Sequence, residues 1–176
     1  MLAGLAQAGN PQVRLETTKG PIILELDPQA APQTVENFLT YVREGYYDGT
    51  IFHRVIKKFM IQGGGMLPGM VAKAGRAPIR NEAANGLKNK RGTVAMARTN
   101  NPHSATSQFF ISTKDNPSLD YKNRSRAGWG YCVFGRVVEG MNVVDRIAAV
   151  STRAAGGYRD VPVKSIMIDR AVLVQP

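Results

Sequence analysis

The apolar residues of this chain fall into many short runs, and only two of those runs carry a helical period. Val13-Arg14-Leu15-Glu16-Thr17 alternates apolar and polar side chains, the pattern of a half-buried strand. Lys19-Gly20-Pro21 is turn chemistry, and Ile22-Ile23-Leu24-Glu25-Leu26 follows as a second strand, so a hairpin is predicted. Val35, Phe38, Leu39 and Val42 then lie at i, i+3, i+4 and i+7, the stripe of a helix packed on a core. Pro32 fits its first turn and Gly45 is placed to end it. Thr50 to Gln62 is rich in β-forming residues and stops at Gly63-Gly64-Gly65. Thr93–Ala97, Gln108–Ser112 and Tyr131–Val137 read as strands, Met141–Val150 as a short helix with Val143 and Ile147 on one face, and Ile166, Ile168 and Val172 to Val174 as a closing strand. Two stretches have no clear period: nearly thirty residues after the glycine triplet, and Leu119 to Gly130. Loops of that length are commonly functional. Many short strands with only two helices predict a closed barrel or a sandwich.

Composition narrows the function classes. A chain of 176 residues is one domain and buries about 70% of its unfolded surface, so it needs no staples. One cysteine, Cys132, excludes an internal disulfide and any zinc site with two thiolates, and two histidines leave little for a histidine cage. No apolar run approaches the ~20 residues of a membrane-spanning helix. The net charge of +10 raises nucleic-acid binding, but Lys57-Lys58, Lys88–Arg91 and Lys122–Arg126 come without a nucleic-acid motif and read as solvated surface. The glycine triplet lacks the spacing of a dinucleotide fingerprint, and no phosphate loop, metalloprotease helix or nucleophile elbow occurs. Residue by residue, then, the chain offers no nucleophile, metal site or cofactor cradle, and neither a metal nor a cofactor is expected. Residues 1–12 read as an N-terminal extension, because Ala6-Gln7-Ala8 has the small-x-small form of an export-signal cut. That reading predicts a periplasmic protein, with the cytoplasm as the alternative, and a single domain over residues 13–176.

Two segments carry a family signature. Phe52-His53-Arg54-Val55-Ile56-Lys57-Lys58-Phe59-Met60-Ile61-Gln62-Gly63-Gly64 resembles the central signature of the cyclophilins, and Ser107-Gln108-Phe109-Phe110-Ile111 resembles a second element of the same family. Gly92–Ala97, Asn116-Pro117-Ser118-Leu119-Asp120 and Val133–Val137 follow in family order, and the resemblance runs from about Val13 to the end. Gly128-Trp129-Gly130-Tyr131, at the end of a long loop, is similar to the bacterial branch. The resemblance implies a mainly β fold, an eight-stranded antiparallel closed β-barrel capped by two α-helices. It also implies peptidyl-prolyl cis–trans isomerase activity, which makes and breaks no covalent bond and so explains the missing nucleophile.

By that resemblance Arg54, Gln62 and Phe59 form the catalytic set, and Met60, Ala97, Arg98, Gln108, Phe110, Leu119 and Tyr131 bind substrate. Arg54 would aim a donor at the proline nitrogen, Gln62 would hold a backbone carbonyl, and the backbone of Arg98 would pair with the peptide. From composition alone Phe59, Phe110 and Leu119 read as core in preference to pocket wall, Arg54 can be a surface charge, and His53 reads as structural. The implied partners are proline-containing peptides and unfolded or partly folded proteins, with no nucleic acid or membrane, and the chain is expected to be a monomer. A proline-peptide binding module, or holdase, with incidental turnover is the alternative function. Three positions depart from the family, among them Arg98, which stands where many eukaryotic members carry asparagine. Ser118 stands where cyclosporin-sensitive members carry tryptophan, which predicts weak cyclosporin binding. Tyr131 stands where many eukaryotic members carry histidine. Lys57 and Lys58, inside the signature, predict a charge preference for acidic peptides at low salt.

Overall fold

The alternation read at the N-terminal end becomes a hairpin of β1 (Gln12–Thr17) and β2 (Gly20–Leu26), with Gln12 opposite Glu25 and Thr17 opposite Gly20. Its inward residues Val13, Leu15, Ile22, Leu24 and Leu26 are fully buried. This computed structural model describes residues 9–174, so the Ala6–Ala8 pattern lies outside the described residues. The helical stripe becomes α1 (Pro32–Arg43), ended by Gly45 at φ 64°, whose N–H donates to the Val42 carbonyl at 3.0 Å. No side chain caps α1 locally, because Ala31 stands at the N-cap. Glu82, nearly fifty residues away, does so instead: its carboxylate accepts from Thr34 N at 2.8 Å, Thr34 Oγ1 at 2.6 Å and Gln33 N at 3.2 Å.

The remaining elements are β3 (Arg54–Ile56), β4 (Met60–Gly63), β5 (Met66–Leu67), β6 (Val71–Ala72), β7 (Thr93–Met96), β8 (Phe109–Ser112), β9 (Val133–Glu139), α2 (Met141–Ala148), β10 (Thr152–Ala155), β11 (Tyr158–Pro162) and β12 (Ile168–Val174). Eight of them form one antiparallel sheet in the order β12-β1-β2-β9-β7-β8-β4-β3. The predicted barrel is therefore present as a curled sheet rather than a fully laddered cylinder. Its two edges meet just before β3, at an Ile51–Met167 bridge flanked by Phe52 N to Ile166 O at 2.9 Å and Ile168 N to Thr50 O at 2.8 Å.

The structure adds elements in three places that the sequence pattern left open. The β-rich stretch Thr50 to Gln62 is a tight hairpin, turned at Lys57-Lys58-Phe59 with Lys58 at φ 56°. The long stretch without a period holds the β5–β6 hairpin and a 3-10 turn at Ala83–Asn85. The β10–β11 hairpin carries no apolar alternation, because most of its side chains face solvent.

Both helices and the inner faces of the strands share one core, and Phe38 of α1 is central to it. Its ring lies 5.1 Å from Tyr47, 5.5 Å edge-on to Phe109 and 5.2 Å from Phe134. Phe38→Ala should lower the unfolding free energy in urea by about 3–5 kcal/mol, the usual cost of emptying a buried phenylalanine site. A loss under about 1 kcal/mol would show that α1 does not seal the core.

Candidate active site

Strands β3, β4, β8 and β7 carry apolar residues on both faces, and the second face makes the candidate site. Arg54 pairs with Gln62, Gln62 with Phe110, and Phe110 with Ala95. Because side chains alternate along a strand, those residues lie on the outer face with Ile56 and Met60. Val55, Ile61, Ile111 and Val94 point inward to the main core. The outer face forms its own apolar cluster of Met60, Ala95, Phe110 and Val133, with Phe59, Ala97, Leu119 and Tyr131 packed against it.

A cavity of about 240 Å³ opens on this face, lined by Arg54, Phe59, Met60, Gln62, Ala97, Arg98, Phe110, Leu119 and Tyr131. Nine of the ten residues expected from sequence thus meet in one place. The tenth, Gln108, stands behind the rim: its Oε1 accepts from Gln62 Nε2 at 3.0 Å, while Gln62 Oε1 accepts from Arg54 Nη1 at 3.4 Å. Gln62 is thereby held by both ends of its amide, with Arg54 exposed at the rim. Gln108 lies against Gly65, where any Cβ would collide with its side chain. That contact gives the third glycine of the triplet a packing reason.

The apolar walls are fixed from behind. The Phe59 carbonyl accepts from Thr113 N and from Asn116 Nδ2, both at 3.0 Å, and Asn116 Nδ2 also reaches Ser112 Oγ at 3.2 Å. Asn116 is buried and opens the 3-10 turn Pro117–Leu119, so one amide ties the β3–β4 turn to the segment carrying Leu119. Tyr131 N donates to the Leu119 carbonyl at 2.9 Å, closing the polar loop at its neck. Tyr131 meets Phe110 edge-on at 5.7 Å, and the Arg98 guanidinium covers its ring at 4.5 Å. Reading Arg98 for its backbone alone missed this stacking, which requires loop and strand to be brought together. Neither the N–H nor the C=O of Arg98 has a hydrogen-bond partner among the described residues. A separate cleft of about 440 Å³ along β2 and β9 contains none of these residues and is lined by charges of both signs.

His53, beside Arg54, is buried, and its Nδ1 has no partner among the described residues. Burial, with the Arg54 charge adding, lowers its pKa to about 4. A neutral buried imidazole fits the structural role expected of it.

A family model described as cyclophilin type peptidyl-prolyl cis-trans isomerase/CLD matches residues 12–173. The chain belongs to that family, and with it to the peptidyl-prolyl cis–trans isomerases. It is 59% identical over 162 residues to peptidyl-prolyl cis-trans isomerase cyp18 of Streptomyces antibioticus, covering 92% of this chain and 98% of that one. It is 56% identical over 157 residues to peptidyl-prolyl cis-trans isomerase B of Escherichia coli strain K12, covering 89% and 96% respectively. Its fold is similar to the crystal structure of a cyclophilin type isomerase of Cryptosporidium parvum, with a TM-score of 0.81 at 29% identity over 95% of this chain and 99% of that one. The same protein has been solved in the presence of the dipeptide Ala-Pro.

His53 sets a pH dependence of stability. Its folded pKa of about 4 lies below the ordinary 6.5, so below pH 6.5 the unfolded chain takes up a proton that the folded one refuses. Unfolding free energy should be level above about pH 6.5 and fall as pH drops toward 4, by at most about 3 kcal/mol from this group. Urea titrations at a series of pH values should show the fall, and His53→Gln should flatten it. An unchanged slope in that variant would assign the dependence to other groups.

Proposed function

We infer that this chain accelerates rotation about X–Pro peptide bonds in folding or unfolded proteins, and that Arg54 is the residue acting on the bond itself. The uncatalysed barrier is about 18–20 kcal/mol and arises from lost amide resonance. At the twisted midpoint the proline nitrogen regains a lone pair that the planar amide does not offer. A donor aimed at that lone pair favours the transition state over both ground states, which is the requirement for rate acceleration. Arg54 supplies a permanently charged, planar set of donors. The ring would be held by Phe59, Met60, Phe110 and Leu119 while the other side of the bond turns. Gln62 would bind a carbonyl on the turning side, and the open backbone of Arg98 would pair with the extended peptide.

The observation that supports this reading is the register of Arg54 with Gln62 and Phe110, by which a guanidinium and an amide stand at the rim of an apolar pocket. A pocket that only held proline peptides would need the walls but not that rim, so turnover is favoured over the holdase reading.

Arg54→Ala should lower kcat/KM in a peptide cis–trans assay by about 10²–10³-fold, the range for loss of one transition-state donor. The loss should appear chiefly in kcat. Arg54→Lys should not restore it, because a point charge cannot reproduce the planar set of donors. Full activity in Arg54→Ala would contradict the assignment.

Cyclosporin should inhibit weakly. Ser118, in the 3-10 turn beside Leu119, offers neither the ring nor the N–H of the tryptophan found in sensitive members. Titration of the isomerase activity with cyclosporin tests this, and a nanomolar inhibition constant would contradict it.

A further inference from the structure

A second cavity, of about 490 Å³, adjoins the proline pocket and shares Arg98 and Tyr131 with it. Ser118, Asn100 and Arg126 supply its other polar side chains, and no carboxylate lines it. Both of its guanidinium groups are held in place by backbone carbonyls. Arg98 donates through Nε to Gly130 O and through Nη1 to Thr99 O, each at 2.9 Å, and Arg126 donates through Nε to Asn100 O at 3.2 Å. Among the described residues neither arginine forms an ion pair, whereas Arg43, Arg76, Arg91 and Arg136 each have a carboxylate partner. Two anchored cations thus border one cavity with no counter-charge and with guanidinium donors to spare. Lys57 and Lys58, on the β3–β4 turn, do not line it.

We propose that this cavity receives the carboxylate side chain of an acidic residue close to the substrate proline, making Arg126 a specificity-determining residue for acidic proline peptides. The proposal rests on the isomerase reading of the adjoining pocket. An extended peptide with its proline in the first cavity sends a neighbouring side chain across the shared Arg98–Tyr131 wall into the second. There Ser118 adds a hydroxyl to the charge-assisted bonds from the two arginines. Charge preference is thereby assigned to Arg126 rather than to the two lysines expected from sequence.

The test is NMR exchange on proline peptides in which Glu or Gln is scanned through the two positions on each side of proline. At one of these positions Glu should raise kcat/KM over Gln by about two- to fivefold at low salt, as expected for a partly exposed ion pair. The gain should lie in KM and vanish near ~0.5 M salt. Arg126→Ala should erase it, Arg126→Glu should invert it, and Arg126→Lys should keep part of it, all with unchanged turnover of the Gln peptides. Phosphoserine at the same position should gain at least as much as Glu and lose it in Arg126→Glu. Equal rates for Glu and Gln at every position would overturn the proposal, as would a Glu preference surviving in Arg126→Glu, or a gain for phosphoserine with none for Glu. Failure to turn over the Gln peptides in the unaltered protein would instead strike the isomerase reading.

Discussion

The cross-strand register of β3, β4, β8 and β7 is the constraint on which the rest depends. These strands use both faces: Val55, Ile61, Ile111 and Val94 fill the interior, while Arg54, Met60, Gln62 and Phe110 build the pocket outside. The side-chain period of a strand is two, so a slip by one residue would exchange the faces. Arg54 and Gln62 would enter the core without partners, and the pocket floor would be lost. Correct folding and correct placement of the site are therefore one requirement, enforced by burial of a single set of strands.

Around that register, polar groups stiffen what apolar packing cannot. Gln62 is held between Arg54 and Gln108, Asn116 joins the Phe59 carbonyl to the Pro117–Leu119 turn, and Arg98 covers Tyr131. On the proposed reading, catalysis of bond rotation would profit from such positioning, because a donor that need not reorganise stabilises the twisted amide at no further cost. In that reading Arg54 is the donor, the apolar cluster is the ring pocket and the Arg98 backbone is the peptide clamp, a set that needs no nucleophile. The +10 charge also becomes more local: Arg98 and Arg126, which form no ion pair among the described residues, border the cavity proposed to set substrate choice.

Much of this was legible from the residues, for physical reasons. The helices announced themselves through Val35, Phe38, Leu39 and Val42, and through Val143 and Ile147, because each buries only one stripe. The signature strands were harder: Thr50 to Gln62 reads as β-rich but gives no clean alternation, since apolar residues lie on both faces, and only the family resemblance separated pocket wall from core. Thr152–Ala155 and Tyr158–Pro162 gave no signal because their side chains are largely exposed. The Glu82 cap on α1, the Arg98–Tyr131 stacking and the anchoring role of Asn116 join residues distant in the chain, so no local pattern could reveal them. Gln108, expected to bind substrate by shaping the neighbouring groove, does not line the proline pocket and accepts from Gln62.

The central claim is that the outer face of these strands binds proline peptides and turns the bond while they are bound. Two-dimensional exchange NMR on an isotope-labelled X–Pro peptide, with the protein's own amide signals followed in the same samples, tests it most directly. The account predicts that cis-to-trans and trans-to-cis rates rise by the same factor while the total cis:trans ratio stays fixed at catalytic protein concentration. Shifts should concentrate at Arg54, Met60, Gln62, Phe110, Leu119 and Tyr131. Peptide that saturates those signals while exchanging no faster than free peptide would contradict it, and would leave a binding module in place of an enzyme.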